Sequence, residues 1–443
     1  MAMAAGGPNA GAKVVSLRLQ YYCVFAAVGV AVIVLSLTFL SPSAMGAVRQ
    51  NLGTVVAVAT NSSGGDGAAR FVGGGEAAAA VAAAKPEPEK EKEKKAEPPV
   101  VLFNFGDSNS DTGGVAAAGG IHIMPPEGRT YFHRPTGRLS DGRVIIDFIC
   151  ASLKTHELNP YLKAVGSDYS NGVNFAMAGS TVSHGVSPYS LNVQVDQFVY
   201  FKRRSLELIE LDDQRCCVLA GLKGPVNKEG FENALYMMDI GHNDVAGVMH
   251  TPSDQWDKKL RQIVGEIGDA IRILYDNGAR KFWIHGTGAL GCLPALVVQE
   301  KGGEHDAHGC LASHNRAAQA FNKKLSDLCD EVRLRLKDAT VVYTDMFAIK
   351  YGFVANHTKY GIEWPLLVCC GNGGPPYNFM PGKFGCGDLC GPEEKVLSWD
   401  GVHFTDFGSG LAAKLAMSGE YSKPRVKLAS LLNGGSKKPS SVS

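Results

Sequence analysis

A serine placed for nucleophilic chemistry stands in the motif Gly106-Asp107-Ser108-Asn109-Ser110-Asp111, which follows a short apolar run. A serine held at a Gly-flanked turn between a strand and a helix can act as a nucleophile, and its own backbone N–H can serve an oxyanion. The same motif also suits a helix-capping serine or an Asp/Ser turn. Ser108 is therefore the candidate nucleophile, with a structural turn as the alternative.

A nucleophilic serine needs a base, and the base needs a group that orients it. The motif Asp400-Gly401-Val402-His403 supplies both, because an Asp three residues before a His in a tight loop can accept from one ring nitrogen. The other ring nitrogen then faces the serine. The chain contains 12 histidines, so a surface or core role for His403 is the alternative.

Two further segments could donate to an oxyanion. Asn243, in Gly241-His242-Asn243-Asp244, carries an amide, and Gly179 offers a backbone N–H after a short Asn174-Phe175-Ala176-Met177-Ala178 segment. Both segments could equally be turns. The segment 286–291 has the G-x-G-x-x-G spacing of a dinucleotide site, but Pro294 follows where the helix should be running, so we expect no such cofactor there.

These candidates must be positioned by a regular framework, and apolar runs predict one. The predicted strands are 100–105, 235–240, 282–285 and 340–343, and apolar residues with helical spacing predict helices over 260–274 and 317–332. Strands alternating with helices predict an α/β protein with a parallel sheet covered on both faces. Ligands of such sheets bind at the carboxyl ends of the strands, where Ser108 and Asn243 lie.

The first hundred residues differ from the rest in composition. Residues 21–40 are uncharged and almost wholly apolar, which predicts a single membrane span after a cytoplasmic tail of residues 1–20. Lys13 and Arg18 precede this segment, so the rest of the chain should be luminal. A cleaved signal peptide is the alternative. Residues 41–99 predict a flexible stem, 100–432 a folded domain and 433–443 a disordered tail.

Cysteine usage agrees with a luminal domain, and the charge balance excludes one class of binding protein. Ten of the 11 cysteines lie beyond the predicted span, and several cluster late in the chain, which indicates disulfides more than a zinc site. Asn61 and Asn356 begin glycosylation sequons. The 44 basic residues nearly balance the 43 acidic ones, which excludes nucleic-acid binding through bulk positive charge.

Taken together, the motifs resemble those of the plant GDSL esterase/lipase family, a branch of the SGNH hydrolases. The similar segments are the Ser108 motif extended through Gly114, the Asn174 to Gly179 segment, Asp239-Ile240-Gly241-His242-Asn243-Asp244 and Trp399-Asp400-Gly401-Val402-His403. They occur in the family's order, and the resemblance covers roughly residues 100–420. Two positions differ: Asn109 replaces the family's leucine, and His242 stands where glutamine is commoner.

The resemblance implies an SGNH-type α/β/α sandwich with Ser108 as nucleophile, His403 as base and Asp400 as its orienting group. It also implies an oxyanion hole formed by the Ser108 N–H, the Gly179 N–H and the Asn243 side chain. No metal or organic cofactor is expected. His242 adjoins Asn243, so this departure bears on substrate preference.

The predicted topology narrows the substrate. A short cytoplasmic tail, one span, a stem and a luminal enzyme domain form the plan of Golgi carbohydrate enzymes, and some similar family members deacetylate xylan. We therefore expect a single-pass type II Golgi membrane protein that removes O-acetyl groups from a wall polysaccharide. A lipid or small-ester hydrolase and a catalytically silent glycan-binding protein are the alternatives. The sequence leaves the oligomeric state open.

Overall fold

A computed structural model describes residues 100–215, 224–383 and 385–433 of the chain. The predicted cytoplasmic tail, membrane span and stem lie outside these residues, as do Asn61 and residues 434–443. Among the helices that the structure describes, none combines the length and the apolar character that crossing a membrane requires.

A six-stranded sheet with the order β2-β1-β3-β4-β5-β8 forms the centre of the described domain. Its strands are β1 Leu102–Gly106, β2 Gly172–Asn174, β3 Leu235–Asp239, β4 Lys281–His285, β5 Thr340–Thr344 and β8 Ser422–Lys423, and a separate pair consists of β6 Cys370–Gly371 and β7 Asp388–Leu389. The four predicted strands are present as β1, β3, β4 and β5. The predicted parallel sheet is found for β1 to β5, and it is corrected at one edge, where β8 pairs antiparallel to β5.

The central strands are apolar, and their carboxyl ends lie at the same edge of the sheet. All five residues of β1 and of β3 are buried, as expected for strands covered on both faces. In the pairing register Gly106 lies opposite Asp239, Asp239 opposite His285 and His285 opposite Thr344. The turns that follow these strands therefore start at the same edge of the sheet.

Helices connect the strands and cover the sheet. They are α1 Gly114–Ala117, α2 Ile145–Ser152, α3 Leu191–Arg215, α4 Lys228–Asn233, α5 His242–Met249, α6 Trp256–Asp276, α7 Pro294–Gln299, α8 Ala312–Arg335, α9 Met346–Ala355, α10 Asp406–Ser418 and α11 Leu428–Asn433. The two predicted helices correspond to α6 and α8, which pack together. The α6 helix ends at Asp276 and is capped by Asn277, which is followed by Gly278 with φ +99°.

Aromatic side chains fill the space between β1 and its covering helices. The ring of Phe103 stacks on Phe231 at 5.3 Å between centroids and meets the edges of Phe198 and Phe201 at 5.1 and 6.2 Å. Truncating such a buried ring to alanine costs about 3–5 kcal/mol of stability. This packing fixes β1, and β1 carries Ser108 at its end.

The prediction of disulfides is confirmed. The bonds join Cys292 to Cys310, Cys369 to Cys390 and Cys370 to Cys386. Within the described residues Cys150 and Cys329 are buried free thiols.

Candidate active site

The turn that carries Ser108 starts directly at the end of β1. Gly106 is required there, because a Cβ at this position would lie 2.6 Å from both the Asp239 carbonyl oxygen and the Ser110 Oγ. The Gln194 side chain on α3 donates to the Gly106 carbonyl at 2.8 Å and accepts from the Gly106 N–H at 2.9 Å. Ser108 is half-buried. Its predicted place at the carboxyl edge of the sheet is thus the observed one.

A buried carboxylate ties the Ser108 turn to the loop that contains Gly179. Asp111 accepts hydrogen bonds from the N–H groups of Gly113, at 2.7 Å, and of Ala178, at 2.8 Å. Burial raises the pKa of Asp111, although its four backbone hydrogen bonds act in the opposite direction. Gly179 follows Ala178 directly, is exposed and has φ +78°.

The Asn243 turn is fastened to the same loop. The Asn243 Nδ2 donates to the Ser180 carbonyl at 2.8 Å, so one amide hydrogen remains for another acceptor. The neighbouring Asp244 carboxylate accepts from the N–H groups of Val182 at 2.8 Å and Ser183 at 3.0 Å. Asp111 and Asp244 therefore hold the three segments that carry the predicted oxyanion donors against one another.

His403 and Asp400 form an imidazole–carboxylate pair. The His403 Nδ1 lies 2.6 Å from the Asp400 Oδ2, and the Asp400 Oδ1 accepts from the His403 N–H at 2.8 Å. Burial lowers the pKa of His403, but the charge and hydrogen bond of Asp400 raise it by a larger amount. The pKa of His403 therefore lies above its ordinary value. Burial raises the pKa of Asp400, and His403 outweighs that effect, so this pKa is lowered. The ring therefore has Nε2 left for a substrate or a serine.

The loop carrying His403 is braced by the disulfide-bonded segment. The N–H groups of Cys369 and Cys370 donate to the carbonyls of Ser398, at 2.9 Å, and Trp399, at 2.7 Å. The Trp399 side chain is only 1% exposed. The loop that carries His403 therefore packs against a disulfide-bonded segment and contains the buried Trp399 ring.

Ser108 and His403 line the same small cavity, of about 10 Å³. The other side chains that line it belong to Asn109, Leu139, Val144, Ile145, Phe404 and Ser409. No hydrogen bond joins the Ser108 Oγ to the His403 ring in the described part of the chain. In free enzymes such nucleophile–base hydrogen bonds are often long, and they tighten in the substrate complex.

The departure at His242 has a structural counterpart beneath the Ser108 turn. The His242 Nε2 accepts from the Gly288 N–H at 3.1 Å, and its Nδ1 lies 3.4 Å from the Asp107 Oδ2. Acceptance at Nε2 leaves the ring proton on Nδ1 when the ring is neutral, where it faces Asp107. His242 therefore supports the residue that precedes Ser108.

The segment 286–291 uses its backbone amides within the protein. The N–H groups of Thr287 and Gly291 donate to the side-chain oxygens of Asn322, at 2.8 Å, and Asn315, at 2.9 Å. A short 3₁₀ turn follows instead of a long helix. Side chains of α8 therefore engage two of the backbone amides of this glycine motif.

Of the two predicted glycosylation residues, only Asn356 lies within the described part of the chain. Asn356 is exposed just after α9, where a sugar could be attached. The described residues contain no group of three or more His, Cys, Asp or Glu side chains that could hold a metal ion.

Sequence reasoning did not identify the contacts of Asp111 and Asp244, nor Lys350, whose Nζ lies 3.4 Å from the Asn109 Oδ1. Asp111 and Asp244 are the last residues of two predicted motifs, and their short polar side chains indicate turn contacts. Lys350 is in α9, the helix that follows β5. A search of every segment after a carboxyl strand end would have included it.

Comparisons with known proteins agree with this geometry. The family model described as GDSL-like lipase/acylhydrolase matches residues 102–416. The GDSL esterase/lipase LIP-4 of Arabidopsis thaliana is 48% identical over 332 residues, which cover 73% of this chain and 87% of that protein. An esterase of Hevea brasiliensis is 38% identical over 352 residues, which cover 74% of this chain and 87% of that protein.

Proposed function

The chain belongs to the GDSL-like lipase/acylhydrolase family and is a carboxylic ester hydrolase, and from this premise we propose that it removes O-acetyl groups from a wall polysaccharide, xylan or arabinoxylan, in the Golgi lumen. We further propose Ser108 as its nucleophile, His403 as its base and Asp400 as the group that orients the base. The observation that carries the proposal is the small cavity shared by Ser108 and His403.

The proposed reaction consists of two acyl transfers. The Ser108 Oγ attacks the ester carbonyl carbon while the His403 Nε2 takes the hydroxyl proton, and Asp400 stabilises the imidazolium through Nδ1. The Ser108 N–H, the Gly179 N–H and the Asn243 amide stabilise the oxyanion. The intermediate collapses as the bond between the acyl carbon and the sugar oxygen breaks, and His403 gives its proton to that oxygen, so the sugar leaves as an alcohol.

Water then completes the cycle. It attacks the acyl-serine ester while the His403 Nε2 accepts a proton from it, and the second tetrahedral intermediate collapses to acetic acid and free Ser108. The same donors stabilise the oxyanion in both halves. Every proton in this sequence moves through His403.

The size of the cavity supports an acetyl substrate. A volume of about 10 Å³ corresponds to roughly one water-sized group. An acyl chain that entered this cavity and was much longer than acetyl would have to displace Leu139, Val144 or Ile145. Val144 and Ile145 are 3% and 1% exposed, and displacing packed side chains typically costs about 1–3 kcal/mol.

The support for the proposed Golgi location comes from the amino-acid sequence of the first 40 residues. The uncharged segment 21–40, with Lys13 and Arg18 before it, supports an anchored protein whose hydrolase domain lies on the luminal side. Acetylated xylan or arabinoxylan would meet the enzyme there during its synthesis. Protease treatment of sealed Golgi vesicles should leave the hydrolase domain intact, and recovery of a soluble extracellular protein that begins near Ala47 would contradict this location.

The substrate can be tested with the full-length protein in detergent micelles. The enzyme is incubated with acetylated glucuronoxylan, acetylated arabinoxylan and the p-nitrophenyl esters of acetate and palmitate, and Ser108→Ala is the control. We expect release of acetate from polysaccharide, assigned by sugar position with NMR, and a preference for acetate over palmitate. A preference for palmitate without acetate release would favour a lipid hydrolase. No turnover of any ester by folded protein would favour a glycan-binding role.

A further inference from the structure

A lysine side chain reaches the proposed active site from α9. The Lys350 Nζ lies 3.4 Å from the Oδ1 of Asn109, which directly follows Ser108. The same Nζ lies 4.8 Å from the centre of the Phe404 ring, and Phe404 directly follows His403. One ammonium group thus contacts the neighbour of the proposed nucleophile and the neighbour of the proposed base.

The path of the Lys350 stem is built into the fold. A Cβ at Gly288 would lie only 2.2 Å from the Lys350 Cδ, so the stem passes through space that a glycine leaves open. The Gly288 N–H also donates to His242, the residue beneath Asp107. Phe353, one turn after Lys350 on α9, packs edge-on against Phe404 at 6.4 Å. Several elements therefore fix where this side chain ends.

The Lys350 ammonium group forms no salt bridge with any of the described residues. Among the residues that the structure describes, no carboxylate oxygen lies within 4.0 Å of its Nζ. Burial lowers the pKa of Lys350, and the charges of Asp239 and Asp107 raise it only in part, so it lies below the ordinary value. A half-buried ammonium without a contacting carboxylate is costly to fold. Groups of this kind concentrate at functional sites.

We propose that Lys350 is a positioning residue of the esterase: its ammonium group holds the Ser108 turn, through Asn109, against the His403 loop, through the Phe404 ring, and its charge acts on the proposed base. The inference rests on the proposed roles of Ser108 and His403. Lys350 touches neither side chain through a hydrogen bond, so its effect on the reaction passes through the alignment of the two loops and through its electric field.

The positive charge of Lys350 changes the pKa of His403 in a known direction. The strongest charge effects on this ring come from Asp400 in its own loop, from Asp107 in the Ser108 turn and from Lys350 on α9. The two carboxylates raise the pKa of His403, and Lys350 lowers it. His403 must be neutral to accept a proton, so kcat/KM falls as the pH drops through this pKa. Removing the Lys350 charge should therefore move the acid limb of the profile to higher pH.

The test compares full-length Lys350→Met, Lys350→Arg and Lys359→Met with the wild type, using p-nitrophenyl acetate from about pH 5 to 9. Lys359 is the matched control, because its Nζ also lies over an aromatic ring, 5.9 Å from the centre of Tyr360, but it is exposed and outside the site. For Lys350→Met we expect kcat to fall roughly ten- to a hundredfold, the loss that a misplacement of about 1 Å causes. Its acid limb should move upward in pH.

Lys350→Arg retains the charge, so it should keep the wild-type limb and restore part of kcat. A wild-type kcat and pH profile in Lys350→Met would overturn the inference, as would an equal shift in Lys359→Met. If Lys350→Met melts below the assay temperature, Lys350→Gln replaces it, with Lys350→Arg again as its charged counterpart. His403→Ala separates the two levels: if it remains active, the proposed base is wrong, whereas an inactive His403→Ala with a normal Lys350→Met removes only the role of Lys350.

Discussion

Replacing Asn243 with alanine tests whether its amide stabilises the oxyanion. In the free protein the Asn243 Nδ2 already donates to the Ser180 carbonyl at 2.8 Å. The second amide hydrogen is the one assigned to the oxyanion, where negative charge develops only as the reaction proceeds. The substitution should therefore affect the transition state far more than the bound ester.

The expected magnitude has two parts. Losing one oxyanion donor typically lowers kcat by about 10²–10³-fold, or roughly 2.7–4 kcal/mol in activation free energy. Losing the Ser180 hydrogen bond should lower stability by about 0.5–1.5 kcal/mol. Asp111 and Asp244 still hold the loop that contains Gly179, so we expect the fold to survive.

Steady-state kinetics with p-nitrophenyl acetate and thermal melting measure the two parts separately. Asn159→Ala is the matched control, because the Asn159 Nδ2 donates to the Asp168 carbonyl at 3.0 Å and Asn159 is only half-buried. It should lose similar stability and keep its kcat. A rise in KM with unchanged kcat in Asn243→Ala would refute the oxyanion role and make Asn243 a substrate-positioning residue.

Three other predictions follow from the charges and the cysteines. Burial lowers the pKa of His403, but its carboxylate partner raises this pKa by more than burial lowers it. A pH–rate profile should therefore show kcat/KM rising with pH through a midpoint above the pKa of an ordinary histidine. A flat profile would contradict this. Replacing Cys370 and Cys386 with serine opens a 16-residue loop and should lower the stability by about 3 kcal/mol. It should also lower kcat, because the loop that carries His403 is hydrogen-bonded to this segment. Thermal melting and steady-state kinetics measure the two effects, and an unchanged kcat would contradict the bracing. Burial raises the pKa of the Cys150 and Cys329 thiols to about 12, so a thiol reagent followed by mass spectrometry should leave both unmodified until the protein unfolds.

The sequence predicts the central strands because they are continuous apolar runs, and it predicts α6 and α8 because their apolar residues repeat at helical spacing. The contact between Asp400 and His403 is also accessible from sequence, since the two residues lie three apart in one tight loop. Such features depend on local chemistry alone.

Other features depend on long-range packing, which a single sequence does not encode visibly. The strands β2 and β8 have three and two residues, too few to show a pattern. The bond from Ala178 to Asp111 spans 67 residues. Lys350 reaches Asn109 across 241 residues, so its place in the site becomes visible only in the folded chain.

Covalent labelling tests the central claim most directly. The full-length protein is treated with a fluorophosphonate, which reacts with activated serines, and the modified residue is identified by peptide mass spectrometry. The proposed mechanism predicts labelling at Ser108, and it predicts that His403→Ala, with an unchanged melting temperature, loses this reactivity. Labelling at another serine, or undiminished labelling of Ser108 in folded His403→Ala, would contradict the assignment of nucleophile and base.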